Sequence, residues 1–151
     1  HLDLHSFPTR RSSDLTSGGL FGIQFDERRV ASDSELKKNN LNLNRRKMLF
    51  YQSKLVWNQI QHIAVVLDSK DQFAWGIQCI GSDNDGLVNP LNGYWTSEDM
   101  PLFDSYLEKH AYNFISSPQS ETLKDYNRLN ASEIVERFMR GNAFHFLKKN
   151  F

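Results

Sequence analysis

The side chains that could do chemistry in this chain are few. A single thiol, Cys79, lies inside the run Phe73 to Ile80. A nucleophilic cysteine needs a base and an exposed, electropositive setting, whereas a cysteine within a β-favouring run packs as a small hydrophobe. One cysteine also excludes an intramolecular disulfide and any multi-cysteine zinc site, and it suits a reducing, cytoplasmic setting. Beyond the first fifteen residues the histidines are His62, His110 and His145, widely spaced and in no H-x-x-x-H or H-x-E arrangement. No metal site is expected from them, and His110 reads as a hydrogen-bonded core histidine. Asp83-Asn-Asp-Gly86 begins like a calcium loop, but its glycine comes two positions early and no glutamate closes the loop, so it reads as a turn. Gly81-Ser82 lacks the flanking glycines of a nucleophile elbow, and the glycines at 81 and 86 lead toward a strand, where a phosphate cradle would lead into a helix. Asp68-Ser-Lys70 has the D-x-K flavour of a metal-dependent nuclease, in which acids and a lysine hold a divalent ion and orient water. The same triplet makes a good hairpin turn. No catalytic residue, metal or cofactor is expected, and a small metal-dependent nuclease or hydrolase is the alternative to a binding protein.

The elements that would position these groups can be read from periodicity and breakers. Ile63 to Leu67 is rich in β-branched residues, Asp68 to Asp71 has turn chemistry, and Phe73 to Ile80 favours strand again, which together predict an antiparallel hairpin. The breakers Gly81 to Gly86 and Pro90 to Gly93 then lead to a short third strand, Tyr94 to Thr96. Upstream, Met48 to Tyr51 and Leu55 to Trp57 fit either a buried strand pair or one helix. After Asp99, a cap, and Pro101, in the first turn, the residues Phe103, Tyr106, Leu107, His110, Ala111 and Phe114 fall on one helical face that ends at Ser116 to Pro118. A second helix opens at Asn130, with Glu133 in capping-box position, and runs to Gly141. Strands followed by helices predict an α+β fold, an antiparallel sheet of at least three strands with helices packed on one face. Trp75, Trp95, Phe103, Leu107 and Phe114 form the expected core, the two tryptophans on neighbouring strands.

At 151 residues, with 39% hydrophobic and 24% charged residues, the chain has the size and apolar content of one folded domain. Residues 1–15 have no period and resemble an in-frame translation of a sequencing-adapter oligonucleotide. They are expected to be a non-native tail ahead of a single domain over 16–151, one that such an adapter would truncate at its front. No apolar stretch approaches the length of a bilayer span, so no membrane partner is expected. The net charge is zero, yet residues 26–54 carry eight basic against four acidic side chains and residues 55–151 carry eight against twelve. The basic clusters are interleaved with asparagines and acids rather than stacking aromatics, which argues for a solvated face and against nucleic acid.

Val65 to Ile77, with its Trp75-Gly76-Ile77, then Val88-Asn-Pro90, Tyr94-Trp95 and Leu102-Phe-Asp-Ser-Tyr-Leu107 resemble the SUKH superfamily over about a third of the chain. The resemblance implies an α+β domain that works by binding, as immunity proteins that neutralise bacterial toxins do. The front of the chain and the residues after Ser117 lie outside it. Specificity in such a module would sit on surface loops, here Asp83, Asp85, Glu98 and Asp99, whose carboxylates would complement a basic toxin domain. The resemblance thus implies a non-enzymatic protein-binding module of undefined oligomeric state.

Overall fold

A computed structural model describes residues 18–39 and 44–151. The adapter-like segment 1–15 lies outside the described residues. In chain order the fold consists of β1 (Phe21–Ile23), α1 (Glu27–Val30), α2 (Asp33–Asn39), α3 (Arg45–Asp68), β2 (Gln78–Ile80), α4 (Met100–Ile115), α5 (Ala131–Glu136), a π-helical turn (Arg137–Gly141) and α6 (Asn142–Asn150), with 3-10 turns at 97–99, 118–122 and 125–127. This corrects the expected fold class. The described residues are predominantly helical, and their sheet has two strands, β1 and β2, paired in parallel with Phe21 opposite Gln78 and Ile23 opposite Ile80. There is no antiparallel sheet of three strands among them.

The largest correction is Ile63 to Leu67, which is the last third of α3 and not a strand. Asn44 caps this helix, its side chain accepting the Lys47 N–H at 3.0 Å. Neither glycine nor proline interrupts the chain from Arg45 to Ser69. Leu49, Gln52, Ser53, Val56, Ile60, Ile63, Ala64 and Leu67 are all buried, spaced by threes and fours along the helix. Packing of that continuous face outweighs the modest strand preference of two or three β-branched residues. Met48 to Trp57 belongs to the same helix, so the one-helix alternative holds there.

With the hairpin gone, Trp75 lies in the loop before β2 and not on a strand. Tyr94 to Thr96 is likewise no strand. Gly93 takes φ +86°, and the Tyr94 N–H donates to the Leu91 carbonyl at 3.0 Å, so the chain turns instead of extending. A Cβ on Gly93 would lie 2.4 Å from Leu49 Cδ2, so the turn is also pressed directly onto α3.

α4 forms as its spacing predicts, burying Phe103, Tyr106, Leu107, His110, Ala111 and Phe114 against the rest of the core. Phe103 packs at a tilt against Phe25, 4.8 Å between ring centres, and meets Tyr94 edge-on at 5.0 Å; Phe114 lies 6.0 Å from Trp57 and 6.4 Å from Trp75. These aromatic contacts join the segment after β1, α3, α4 and the Trp75 loop into one hydrophobic core. α5 starts at its expected cap, the Asn130 side chain accepting the Glu133 N–H at 2.8 Å. Gly141 does not end the helix. Its φ is −59°, an added Cβ would meet the Glu136 carboxylate at 2.7 Å, and the π turn carries the chain on into α6.

Candidate functional site

Two groups of the expected site residues converge. The loop after β2 bends back at Asp83, whose φ of +55° is tolerated by aspartate better than by most side chains. Gln24 Nε2 donates to Asp83 Oδ2 at 2.6 Å and moors that loop to the segment following β1. Opposite it runs the turn from Tyr94 into α4. Asp99 organises this second wall: one carboxylate oxygen accepts the backbone N–H of Trp95 at 2.9 Å and of Thr96 at 3.0 Å. Between the walls is an open cleft of about 440 Å³ lined by Ser82, Asp83, Asn84, Asp85, Trp95, Thr96 and Ser97. Two of these seven are carboxylates and none is a cation. Asn84 Oδ1 is buried without a hydrogen-bond partner.

Trp95 is therefore not a core residue. It is 58% exposed, on the wall of the cleft, because the turn that replaces the expected strand points it away from Phe103 and Tyr94. Trp75, by contrast, is 2% exposed, and Phe103, Leu107 and Phe114 are buried with it. Asp83, Asp85 and Glu98 are exposed, whereas Asp99 is half-buried and its carboxylate is spent on the turn. Asp83 and Asp85 face Trp95 across the cleft; Glu98 lies just beyond Ser97.

The residues weighed for catalysis are engaged in holding the fold. Asp68 is buried at the end of α3, where one carboxylate oxygen accepts the Lys124 N–H at 3.0 Å and the Asn127 side-chain amide at 2.7 Å. Asn127 in turn accepts the Ala74 N–H at 2.9 Å through its side chain and the Trp75 indole N–H at 2.8 Å through its carbonyl. Lys70 is exposed on the turn beyond. Cys79 is buried in β2, which pushes its thiol up and suppresses the thiolate. His110 Nε2 lies 2.9 Å from Ser53 Oγ and 3.0 Å from the Phe50 carbonyl oxygen. A carbonyl can only accept, so this nitrogen carries the proton. Burial, with Lys54 and Lys109 adding repulsion, pulls the His110 pKa down to about 4, leaving a neutral core imidazole. Among the described residues no group of three or more His, Cys, Asp or Glu gathers where a metal ion could be held.

Asn127 and Asn142 are structural residues that periodicity alone does not flag. The Asn142 side-chain amide donates to the Trp75 carbonyl at 2.8 Å and the Gln78 carbonyl at 2.7 Å, fixing α6 to β2. A local cue exists for Asn127 alone, which follows the polar segment Ser116 to Asp125 with its Pro118. Their partners, however, are more than fifty residues away. Among the described residues no helix is long and apolar enough to cross a membrane. Comparison of the chain with protein-family models, curated proteins and solved structures returns no match.

Proposed function

We propose that this protein is a non-enzymatic binding module that captures a basic protein surface in the cleft between Asp83, Asp85 and Trp95. The observation that carries the reading is Trp95, a large aromatic left 58% exposed although both the N–H groups beside it are fixed by Asp99. An ordered aromatic beside two carboxylates that have no ion-pair partner among the described residues, only Asp83 being held by the neutral Gln24 amide, suits an arginine or lysine. The ring face attracts the cation, and the carboxylates accept its hydrogen bonds and steer its approach. The finer part of the proposal, that the partner is a toxin domain neutralised in the cytoplasm, rests on the SUKH resemblance over residues 65–114. The nuclease alternative has less support, because Asp68 is buried and its carboxylate holds Lys124 and Asn127.

The test is affinity capture of the partner followed by binding kinetics on Trp95→Ala and Asp85→Lys. Each should weaken affinity at least about tenfold, as a hot-spot aromatic and a facing charge do, with the fold intact. Unchanged affinity in both variants would remove the cleft from the interface. Nucleic-acid hydrolysis with magnesium or manganese that is lost in Lys70→Ala, with folding intact, would replace binding by catalysis.

A further inference from the structure

The amide of Gln52 stands inside the core without a partner. Gln52 is 1% exposed, and neither the oxygen nor the nitrogen of its side chain makes a hydrogen bond among the described residues. Ser53, Asp68, His110, Asn127 and Asn142 are buried likewise, yet each is hydrogen-bonded. An unpaired amide raises the free energy of the closed molecule, and water restores its bonds wherever the site opens. Gln52 therefore favours the motion that uncovers it.

The spacing along α3 identifies that motion. Gln52, Val56, Gln59 and Ile63 succeed one another by four, three and four residues, so they share one stripe of the helix. Gln59 Nε2 donates to the Val30 carbonyl at 3.3 Å, which seats the end of α1 on this stripe. α1 and α2 both pack against α3. At four and seven residues, neither is long enough to hold its shape without a surface to lie on. The chain is stitched down ahead of them, where the Leu91 N–H donates to the Phe25 carbonyl at 2.8 Å and the Glu27 N–H to the Asn89 carbonyl at 3.0 Å. From Arg28 to Lys37 the backbone-to-backbone bonds seen are all local.

We propose that α1 and α2 form a strap that lifts from α3 while the rest of the molecule stays folded, hinged at Glu27, with the unpaired Gln52 amide setting how readily it lifts. Opening hydrates Gln52 and uncovers Val56 and Ile63 on the same stripe, an apolar surface that the closed molecule hides. The stitches at Phe25 and Glu27 stay closed, so the cleft at Trp95 keeps its shape and the proposal is independent of partner capture there.

The test is native-state hydrogen exchange of the full chain in urea well below its unfolding midpoint, in the parent protein and in Gln52→Met, which keeps the length of the side chain and removes both polar atoms. The amides of Val30 and Ala31 should exchange faster than those of Leu107 and Ala111 in α4, and with little dependence on urea, as an opening smaller than global unfolding does. Gln52→Met should slow Val30 and Ala31 at least about fivefold, because opening no longer returns bonds to an amide. Gln52→Leu should do the same, which covers a misfit of methionine. Exchange of Val30 and Ala31 only together with the α4 amides would overturn the proposal, since no separate strap motion would exist. So would separate exchange at a rate unchanged in both variants, which would mean that Gln52 stays covered while the strap moves.

Discussion

Trp75 and Trp95 are twenty residues apart, both lie outside the helices and strands, and they end in opposite environments. The Trp75 indole N–H donates to the Asn127 carbonyl, its ring meets Phe114 edge-on, and its own carbonyl receives the Asn142 amide. Trp95 is fixed only through its backbone, by Asp99, and its ring is left to solvent on an acidic wall. The contrast teaches that an aromatic's role follows from where the polar groups around it are satisfied. A tryptophan whose N–H and backbone are both paired inside is scaffold, whereas one ordered from behind and open in front keeps its ring available to the partner proposed above.

The strongest way to break this comparison is truncation of both rings. Trp75→Ala should cost about 3–5 kcal/mol, since it opens a large cavity and strands the Asn127 carbonyl, and thermal or denaturant melting measures it. Trp95→Ala should shift the same transition by about 0.5 kcal/mol or less. Equal losses at the two sites would mean that Trp95 is scaffold as well.

Next in size is the effect of pH on the α3–α4 seam. The folded pKa of His110 is about 4, below its ordinary 6.5, because charging the imidazole in the core is unfavourable. The unfolded state therefore binds the proton first as pH falls. Stability from this group is fully present above about 6.5 and is lost as pH drops from there toward about 4, by about 2–3 kcal/mol in all. Urea melts at pH 7 and 4.5 should show the loss. His110→Gln, which keeps a donor for the Phe50 carbonyl, should flatten it between those two values. The cleft contains no histidine, so partner binding should not follow the same curve.

Asn127→Ala should come third, at about 2 kcal/mol, because it leaves the buried Ala74 N–H without an acceptor and Asp68 without its amide donor. Its effect should be felt around Trp75 and not at Trp95. Hydrogen exchange at the Ala74 amide, faster in the variant while the Trp95 amide stays protected, would show that the two regions are independently held.

How much of this was legible in the sequence depends on the length of chain over which a signal runs. α4 and the start of α5 are readable, since a proline in the first turn, a six-residue apolar face and the Asn130 cap are all local, whereas Asp99, the expected cap of α4, turns its carboxylate back onto Trp95 and Thr96 instead. α3 was misread because Ile63 to Leu67 was judged as a short β-branched run. Its burial spacing continues unbroken from Leu49, and only a window of the whole breaker-free stretch shows that. The parallel pairing of β1 with β2 joins strands more than fifty residues apart, each only three residues long, and such a register has no local signature. The acidic character of the cleft was visible in Asp83, Asp85, Glu98 and Asp99. The exposure of Trp95 was not, because it follows from the turn at Gly93 and from the Asp99 carboxylate folding back on the backbone.

The smallest expected effects on folding separate the four carboxylates from one another. Asp85 and Glu98 are exposed, and no hydrogen bond or ion pair of their side chains is seen among the described residues, so Asp85→Lys and Glu98→Lys should change stability by about 0.5 kcal/mol or less. Asp99→Ala should cost about 1 kcal/mol, because it frees the Trp95 and Thr96 N–H groups at a partly open turn. Asp83→Ala should fall between them, losing the Gln24 bond at the surface. Binding should rank them differently. Asp85→Lys should slow association and weaken its dependence on salt, since a steering charge has been reversed, while leaving dissociation nearly unchanged. Asp99→Ala should act mainly on dissociation, since its carboxylate does not face the partner but holds Trp95 in place. Stopped-flow association and dissociation at two ionic strengths distinguishes these patterns. If Asp99→Ala altered only association, its carboxylate would be acting as one more surface charge, and the ordering of Trp95 from behind would have no part in recognition.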